Sequence, residues 1–402
     1  MEPITSSLLH DLHPQILKLR EFHSTESLEK SPVFQSVRDR IARLLSSYDL
    51  VHQVSTVPQP EPFYRSVAWN IERGMRFEAI LHYLKSHPLL STADILLITE
   101  ADMGMARSGN RDVAAEIARA LRMNYFFAPS YLNLSKGAGI EQEFAGENSL
   151  GIAGNAVLSR YPLSDPRIVP LPNAHDKMRG REKRVGSQSA PVVKVHLPNA
   201  FLAVSAVHLD VRSTQGHRIV QLEKVTEAIR GMGDGPALVG GDWNTSTYDA
   251  HSALSSIIGF WIRVFMGTGN MIKNHYSHPD RFFERRLFER LEASGFDYKS
   301  CNESGVGTSH FSVGDLKQFK NLREWLPNWC FRFVEWSLKE HGGRCSFKLD
   351  WFTQRGLKIL KEGEGSSPRK GKSVGAKVIG NLDYENYPSS DHDPIVVDFV
   401  IP

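Results

Sequence analysis

The chain has 402 residues, of which 41% are hydrophobic and 23% are charged, and this composition is typical of globular proteins rather than disordered ones. Its formal net charge of +3 is too small to indicate nucleic-acid binding by charge alone, although it permits a polyanionic partner. The 3 cysteines show no Cys-x-x-Cys spacing, so free thiols are expected rather than a disulfide framework or a zinc knot.

The N-terminal region predicts a helical extension in front of a larger domain. Residues 1–60 carry apolar side chains at helical spacing and end in the turn-forming segment Pro58-Gln59-Pro60. They lack a basic segment followed by an apolar stretch, and no run in the chain reaches the roughly 18 apolar residues of a membrane-spanning helix. We therefore expect a cytoplasmic protein without a transmembrane segment, with its catalytic domain over residues 61–402.

From Arg65 onward, short apolar runs bounded by turn residues alternate with helical stretches. This alternation predicts a layered α/β architecture. The predicted strands are centred on residues 66–69, 95–98, 156–158, 192–195, 202–207, 237–240, 347–353 and 395–399, and the predicted helices on 77–85, 113–122, 215–229 and 282–291.

The interval between the strands at 237–240 and 347–353 is too long for a plain loop. It predicts an elaboration over the active site at about residues 255–345. Within it, residues 310–341 alternate aromatic and basic side chains, which could stack on bases or cover a lipid headgroup, although such spacing is more typical of a core. Farther on, the segment Gly363–Lys372 is rich in turn formers and lysine, which predicts a mobile loop.

Four acidic residues lie at the ends of predicted strands, where α/β enzymes collect their ligands: Glu100, Asp242, Asp350 and Asp391. Taken singly, each is more typical of a cap or turn residue. Several carboxylates converging with amides and imidazoles would make a hard-oxygen site that suits Mg²⁺ or Mn²⁺ better than Zn²⁺. The amide and imidazole candidates are Asn70, Asn244, His208 and His392.

Short motifs containing these residues follow one another in a characteristic order. They are Ala68-Trp69-Asn70-Ile71, Thr99-Glu100, Gly154-Asn155-Ala156-Val157-Leu158-Ser159-Arg160, Val207-His208-Leu209, Gly240-Gly241-Asp242-Trp243-Asn244, Leu349-Asp350-Trp351 and Ser390-Asp391-His392-Asp393-Pro394. With its motifs in this order, the chain resembles the endonuclease/exonuclease/phosphatase superfamily of metal-dependent phosphohydrolases. The resemblance covers about residues 65–400. This superfamily includes apurinic endonucleases, pancreatic-type deoxyribonuclease and neutral sphingomyelinases. Thr99, Trp243 and Trp351 depart from the commonest pattern, but none of them removes a catalytic atom.

The resemblance implies an α/β (α+β) fold, a four-layer sandwich of two packed mixed β-sheets flanked by helices. It implies that Glu100, Asn70 and Asp391 bind Mg²⁺, with Mn²⁺ as a substitute. Asp242 would orient or deprotonate the attacking water, and Asn244 would hold the water or the phosphate, because in-line attack needs a placed nucleophile more than a strong base.

The resemblance also implies roles for the remaining candidates. His392 would contact a phosphate oxygen, with Asp350 fixing its ring and favouring its charged form, and His208 would be a second donor to the developing charge. Asn155 and Arg184 are candidates for substrate contact. Asn155 is also typical of a turn in a Gly-Asn pair, and Arg184 is equally expected of a solvated charge run.

The sequence therefore predicts a divalent-metal-dependent hydrolase of phosphate esters, foremost a phosphodiesterase. Its phosphorylated substrate stays open among nucleic acid, phospholipid headgroup and small metabolite, because fold and site chemistry are shared among these classes. One alternative is a catalytically silent binding or scaffold module, which would be expected to have lost at least one of the catalytic residues. Another is a nucleic-acid-binding module without cleavage, which the near-balanced charge disfavours.

Overall fold

The computed structural model describes residues 8–54, 58–245, 253–312 and 343–402, together with Trp336, Leu338 and Lys339. The helices within these ranges are α1 (His13–Leu19), α2 (Thr25–Glu29), α3 (Pro32–Ser46), α4 (Phe77–Ser86), α5 (Val113–Leu121), α6 (Gln215–Arg230), α7 (Ala253–Met266), α8 (Thr268–Asn270) and α9 (Arg285–Ala293). Short 3₁₀ turns lie at Leu90–Thr92, Ala106–Ser108, Gly139–Glu143 and Pro279–Arg281, and a π-helical turn lies at Met271–Tyr276.

The strands are β1 (Asp49–Val51), β2 (Tyr64–Arg73), β3 (Ile95–Met103), β4 (Asn124–Asn133), β5 (Ile152–Ser159), β6 (Leu163–Pro170), β7 (Arg184–Gly186), β8 (Ser189–Leu197), β9 (Ala200–Ala206), β10 (Ala237–Asp242), β11 (Ser309–Ser312), β12 (Arg344–Phe347), β13 (Asp350–Arg355), β14 (Lys358–Ile359), β15 (Ser366–Ser367), β16 (Gly371–Lys372), β17 (Ala376–Val378), β18 (Asp383–Tyr384), β19 (Tyr387–Pro388) and β20 (Ile395–Val400). The strands predicted from the sequence all overlap strands of this list.

Two large sheets dominate the topology. The first has nine strands in the order β1-β4-β5-β3-β2-β20-β14, with β7 added beside β4 and β17 beside β20; the second has five, in the order β13-β10-β9-β8-β6. Strands β2 and β3 pair in parallel in the first sheet, and β9 and β10 pair in parallel in the second. Their other pairings are antiparallel, so both sheets are mixed.

The side-chain alternation of the central strands shows how the layers stack. Along β2, Val67 and Trp69 belong to an apolar cluster shared with helices α3, α4 and α5. Ala68, on the opposite face, belongs to a cluster shared with Val204 and Leu238 of the second sheet. The far face of the second sheet packs on α6 and α9 in a third cluster. The order is therefore helices, sheet, sheet, helices, which confirms the predicted fold class.

The N-terminal residues are joined closely to this sandwich. Ser31 caps α3, where its Oγ accepts a hydrogen bond from the backbone N–H of Phe34 at 3.2 Å, and Pro32 occupies the first helical position. Helices α1 to α3 contribute buried side chains such as Ile16 and Ile41 to the same apolar cluster as β2. The chain then adds β1 to the edge of the first sheet by antiparallel pairing with β4, a strand that the sequence analysis did not predict.

Other expectations are met in part by the described residues. Cys301 and Cys345 are free and buried, and Cys330 lies outside the described residues. The expected elaboration at 255–345 contains α7, α8, α9 and the β11–β12 hairpin, whereas residues 313–335, which hold most of the aromatic and basic alternation, lie outside the described residues. None of the helices described for this chain has both the length and the apolar character needed to span a bilayer.

Candidate active site

Strand direction brings the predicted residues to one end of the sandwich. The carboxyl ends of the parallel strands β2 and β3 lie side by side, and Asn70 pairs with Thr99 there. In the second sheet β10 ends opposite the start of antiparallel β13, so that Asp242 pairs with Asp350. Strand β20 runs antiparallel to β2, and the segment before it therefore reaches the same end.

Four predicted residues from the two sheets form a single cluster. Asn70 Nδ2 donates hydrogen bonds to Glu100 Oε1 at 3.3 Å and to Asp242 Oδ2 at 3.1 Å. His208 Nε2 lies 3.5 Å from Asp242 Oδ2 and 3.8 Å from Glu100 Oε1. Asn70 therefore bridges the two sheets, and the carboxylates face an imidazole.

The Gly-Gly-Asp-Trp-Asn segment fixes Asp242 by close backbone approach. A side chain at Gly241, where φ is +138°, would collide with the carbonyl oxygen of Val207, directly after the neighbouring strand β9. After Asp242 the chain turns at Asn244, which has a φ of 48°, a left-handed conformation that asparagine tolerates. The backbone N–H of Asn244 donates to Asp242 Oδ1 at 2.8 Å, and its Nδ2 donates to Asp242 Oδ2 at 3.1 Å and to the Leu209 carbonyl at 3.0 Å.

His392 and Asp350 form a buried pair beside this cluster. Nδ1 of His392 lies 2.7 Å from Asp350 Oδ2, and its Nε2 lies 3.8 Å from Asp242 Oδ2. The indole N–H of Trp69 donates to the carbonyl oxygen of His392 at 2.8 Å. The imidazole is therefore held by its ring and by its backbone, with Nε2 directed toward the Asp242 side.

Thr308 completes this arrangement and was not identified from the sequence. Its Oγ1 donates to the same Asp350 Oδ2 at 2.7 Å and accepts the backbone N–H groups of Leu349 at 3.1 Å and Asp350 at 3.0 Å. The hydroxyl is thereby fixed in direction, because the two backbone donors leave its proton for the carboxylate. Thr308 is one residue in a Gly-Thr-Ser-His stretch within the predicted elaboration, and no sequence pattern distinguishes it.

The ionisation of the pair follows from its neighbours. Burial acts to lower the pKa of His392, but Asp350, Asp242 and Asp391 outweigh it and hold that pKa well above its usual range. Burial raises the pKa of Asp242 to about 6; His392 opposes this rise and Asp350 adds to it. His392 is therefore a cation at neutral pH, and Asp242 titrates close to neutrality.

Glu100 and its backbone are held in an unusual conformation. The pairing of β2 with β3 shifts register after Asn70, and that of β3 with β5 shifts after Ile98. Glu100 has a φ of 56°, which is uncommon for a residue with a side chain and recurs at functional sites. Burial acts to raise its pKa, but Arg73, whose Nε lies 3.6 Å from Glu100 Oε2, and His208 outweigh burial and lower the pKa to about 2.

Glu72 and Asp391 add two further carboxyl groups near Glu100. Burial and the neighbouring Asp391 raise the pKa of Glu72 to about 8, and burial and Glu100 raise the pKa of Asp391. Glu72 was missed in the sequence analysis, although it lies two residues after Asn70 at the same strand end. Three carboxyl groups of this kind repel one another when ionised.

Among the described residues, one group of side chains brings candidate ligand atoms for a metal ion close together. Asp242, Asp350 and His392 each offer a ligand atom, and these atoms lie within 4.8 Å of one another. However, Nδ1 of His392 is hydrogen-bonded to Asp350, and the carboxylates that raise its pKa favour the imidazolium form, which has no lone pair for a metal. Glu72, Glu100 and Asp391 influence one another electrostatically, and a divalent cation would relieve the mutual repulsion of their charges. This donor set fits Mg²⁺ or Mn²⁺.

The two candidates for substrate contact differ in their surroundings. Asn155 is buried, and its amide is engaged on both sides: Oδ1 accepts the backbone N–H of Glu100 at 3.1 Å, and Nδ2 donates to the Ser189 carbonyl at 2.7 Å. It thereby supports the Glu100 bulge across the two sheets. Arg184 is a quarter exposed, its Nη1 lies 3.5 Å from Glu182 Oε2, and its guanidinium covers the ring of Tyr131.

A cluster of carboxylates, amides and imidazoles at one end of a two-sheet sandwich has the character of a phosphoester-hydrolase site. A profile of the Endonuclease/Exonuclease/phosphatase family matches residues 67–332, and the chain belongs to this family. Membership implies hydrolysis of phosphate esters. No curated protein matches the chain.

Several solved structures resemble this fold, and two of the three described here carry the same family name. An endonuclease/exonuclease/phosphatase from Beutenbergia cavernae is 15% identical, with 85% of this chain and 72% of that chain covered and a TM-score of 0.49. One from Bacteroides vulgatus is 12% identical, with 85% and 99% covered and a TM-score of 0.47. The human Nocturnin catalytic domain is 15% identical, with 88% and 98% covered and a TM-score of 0.45.

Proposed function

We propose that the chain is a Mg²⁺-dependent phosphodiesterase in which a water molecule attacks phosphorus in line with the leaving oxygen. This proposal rests on the proximity of Asp242, from one sheet, to Asn70 and His392, from the other. A general base (Asp242), an orienting amide (Asn70) and a cationic hydrogen-bond donor (His392) are thus close to one another. A catalytically silent module would have no need of a carboxyl that titrates near neutrality beside a buried imidazolium.

Each residue of the site has its own role in the reaction. Asp242 accepts a proton from the attacking water, for which a pKa of about 6 is well matched to neutral pH. Asn244 and Asn70 orient Asp242 and the water. As the oxygen–phosphorus bond forms and the ester bond breaks, His392 and His208 donate hydrogen bonds to the phosphoryl oxygens and stabilise their growing charge.

Glu100 and Asp391, with Asn70 and Glu72 beside them, would hold the Mg²⁺ ion, for which Mn²⁺ is the expected substitute. When bound, the ion supplies Lewis-acid neutralisation of phosphoryl charge. Asp350 and Thr308 keep the imidazole of His392 in place, and Arg184 stays a candidate for contact with a substrate anion. The substrate class stays open among nucleic acid, phospholipid headgroup and small phosphorylated metabolite.

The test is hydrolysis of a panel by the purified full chain. The panel holds a bis-aryl phosphodiester, single- and double-stranded DNA, RNA, sphingomyelin and an inositol phosphate, each with Mg²⁺ and with chelator. Asp242→Asn should lose nearly all turnover, whereas Asp165→Asn, a change at a half-exposed residue of β6, should retain it. Folded wild-type protein that hydrolyses no member of the panel would refute the proposal.

A further inference from the structure

Arg73 lies between two carboxylates and is hydrogen-bonded to one of them. Its Nη1 donates to Glu141 Oε1 at 2.5 Å, whereas its Nε lies 3.6 Å from Glu100 Oε2. The second distance is too long for a hydrogen bond. The guanidinium is therefore bound to Glu141, and it lies close to Glu100 without forming a hydrogen-bonded pair with it.

The backbone around Arg73 is held in an uncommon conformation. Glu72, Arg73 and Gly74 follow one another with φ values of 46°, 63° and 71°, and residues with a side chain rarely adopt this left-handed region. These residues end the strand that carries Asn70. The side chain of Arg73 is 30% exposed, so packing alone does not fix the position of its guanidinium.

Glu141 is fixed from its other side. Its Oε2 accepts hydrogen bonds from Arg107 Nη1 at 3.1 Å and from the backbone N–H of Ala138 at 2.8 Å. Gly137 has a φ of +140°, and a Cβ added there would lie 2.0 Å from Glu141 Oε2. The turn therefore accommodates this carboxylate because residue 137 is a glycine, and the Glu141 side chain is only 7% exposed.

Arg107 connects Glu141 to the core. Its Nε and Nη2 donate to the two carboxylate oxygens of Asp102 at 2.8 and 2.9 Å, and its Nη1 donates to Glu182 at 2.8 Å. The side chains of Arg107 and Asp102 are 1% and 0% exposed, and a two-point pair of this kind has a defined geometry. Glu141 is therefore a fixed acceptor, and Arg73 is the movable partner of their ion pair.

We propose that Glu141 is a positioning residue that holds Arg73 away from Glu100 and thereby keeps the Glu100 carboxylate available to the divalent cation. This inference rests on the proposed function, in which Glu100 binds that ion. Among the described residues, Glu141 and Glu100 are the two carboxylates paired with Arg73. Without the charge of Glu141, Arg73 would pair with Glu100, because opposite charges at this distance attract one another. A guanidinium on Glu100 would occupy its lone pairs and repel the cation.

The experiment is isothermal titration calorimetry of the full chain with Mn²⁺, which measures metal binding without hydrolysis. Glu141→Gln should weaken Mn²⁺ binding about tenfold, the factor expected when Arg73 gains a charge-assisted hydrogen bond to Glu100. Glu147→Gln is the matched control, because it removes the same charge from an exposed residue of the same connection between β4 and β5. It should bind Mn²⁺ like the wild type.

Variants at Arg73 separate this positioning role from a merely structural one. Arg73→Gln should bind Mn²⁺ more tightly than the wild type, because it removes the cation that competes for Glu100, and it leaves the contact between Glu141 and Arg107 in place. In the Arg73→Gln background, Glu141→Gln should change Mn²⁺ binding by less than about twofold. Misfolding of the turn at residues 137–143, or an effect of charge through space, would weaken binding equally in both backgrounds. Circular-dichroism melting curves establish that each variant is folded.

Three outcomes would overturn the inference and leave the proposed function standing. The first is Mn²⁺ binding by Glu141→Gln that equals binding by Glu147→Gln. The second is a loss on Glu141→Gln that is equally large with and without Arg73. The third is weaker binding by Arg73→Gln, which would mean that Arg73 holds Glu100 in place for the ion. Wild-type protein that binds no Mn²⁺ would instead overturn the proposed metal site together with this inference.

Discussion

Asp350→Asn removes one negative charge beside His392 while leaving the local hydrogen bonds in place. Asp350 Oδ2 accepts from His392 Nδ1 and from Thr308 Oγ1, each at 2.7 Å, and an asparagine carbonyl oxygen at that position can accept both. The other oxygen, Oδ1, is buried and has no partner among the described residues. The substitution therefore tests the charge of Asp350 more than its shape.

The magnitude follows from the burial of the pair. Removing one partner of a buried ion pair costs about 3–5 kcal/mol, and about 1.4 kcal/mol corresponds to a tenfold change. If the imidazolium of His392 stabilises the transition state, kcat should fall by about 100-fold or more. The pKa of His392 should fall, because Asp350 is the strongest of the neighbouring charges that raise it.

The sign of the pH dependence is fixed by the direction of that pKa. His392 has a raised pKa in the folded protein, so its stabilising contribution is complete below the unfolded pKa and is lost as pH rises through the folded one. Activity that needs the imidazolium should likewise fall on the alkaline side, and Asp350→Asn should move this fall to lower pH.

The assay is kcat for a soluble phosphodiester in Mg²⁺ from about pH 5 to about pH 10. The control is Asp165→Asn, a change at a half-exposed residue of β6. An alkaline limb of Asp350→Asn that coincides with the wild-type limb would refute the assignment of the imidazolium to this pair.

Three further changes test neighbouring parts of the site and the fold. Mg²⁺ should raise the melting temperature of the wild type in scanning fluorimetry, because a ligand at 100 times its Kd stabilises the folded state by about 2.7 kcal/mol. An equal rise in the melting temperature of Glu100→Gln would contradict the role of Glu100 in metal binding. Thr308→Val should lower kcat about tenfold at unchanged KM, because a hydrogen bond to a charged group contributes about 1.5–3 kcal/mol, and Thr308→Ser should restore it; equal rates for both would show that the hydroxyl is dispensable. Asp398→Asn should destabilise the protein by about 3 kcal/mol or more in urea unfolding, since Asp398 and Arg65 are both 0% exposed and 2.7 Å apart; an unchanged midpoint would disprove the contribution of this pair.

The central strands and the strand-end residues were predictable because they depend on short-range patterns. Buried strands are continuous apolar runs, and polar residues directly after them are conspicuous, as at Asp242 after Ala237–Gly241. The positions of Glu72 and Thr308 were not predictable in this way. Thr308 acquires its place only because β11 pairs with β12 and brings its hydroxyl to Asp350.

The segment Gly363–Lys372 is a second case in which the local sequence did not predict the structure. Its composition predicted a mobile loop, but it forms the β15–β16 hairpin. The side chain of Lys370 is 0% exposed, and its Nζ lies 3.0 Å from Asp94, while Arg369 pairs with Glu61 at 2.9 Å. Lysine and arginine are ordinarily solvated in such a segment, and their partners Glu61 and Asp94 lie too far away in the chain to be identified from the local sequence.

The structure also predicts that the packing between the sheets controls catalysis. Leu97 belongs to the apolar cluster between the sheets and reaches Gly240, where an added Cβ would lie 3.0 Å from Leu97 Cδ1. Its neighbour Leu96 belongs to the cluster on the helix side. The two are 0% and 2% exposed, so Leu97→Ala and Leu96→Ala should each cost about 2–5 kcal/mol of stability.

The effects of Leu97→Ala and Leu96→Ala on turnover should differ. Asn70 and Asp242 come from different sheets, and Asn70 Nδ2 lies 3.1 Å from Asp242 Oδ2. A cavity between the sheets lets them shift, and small misplacements of reacting groups are costly, so Leu97→Ala should lower kcat by about tenfold or more. Leu96→Ala leaves the inter-sheet contact intact and should keep kcat near the wild-type value. The measurement is kcat of both variants well below their melting temperatures. Equal losses would mean that the site tolerates movement between the sheets, and that Asn70 does not need the distance seen here to orient Asp242.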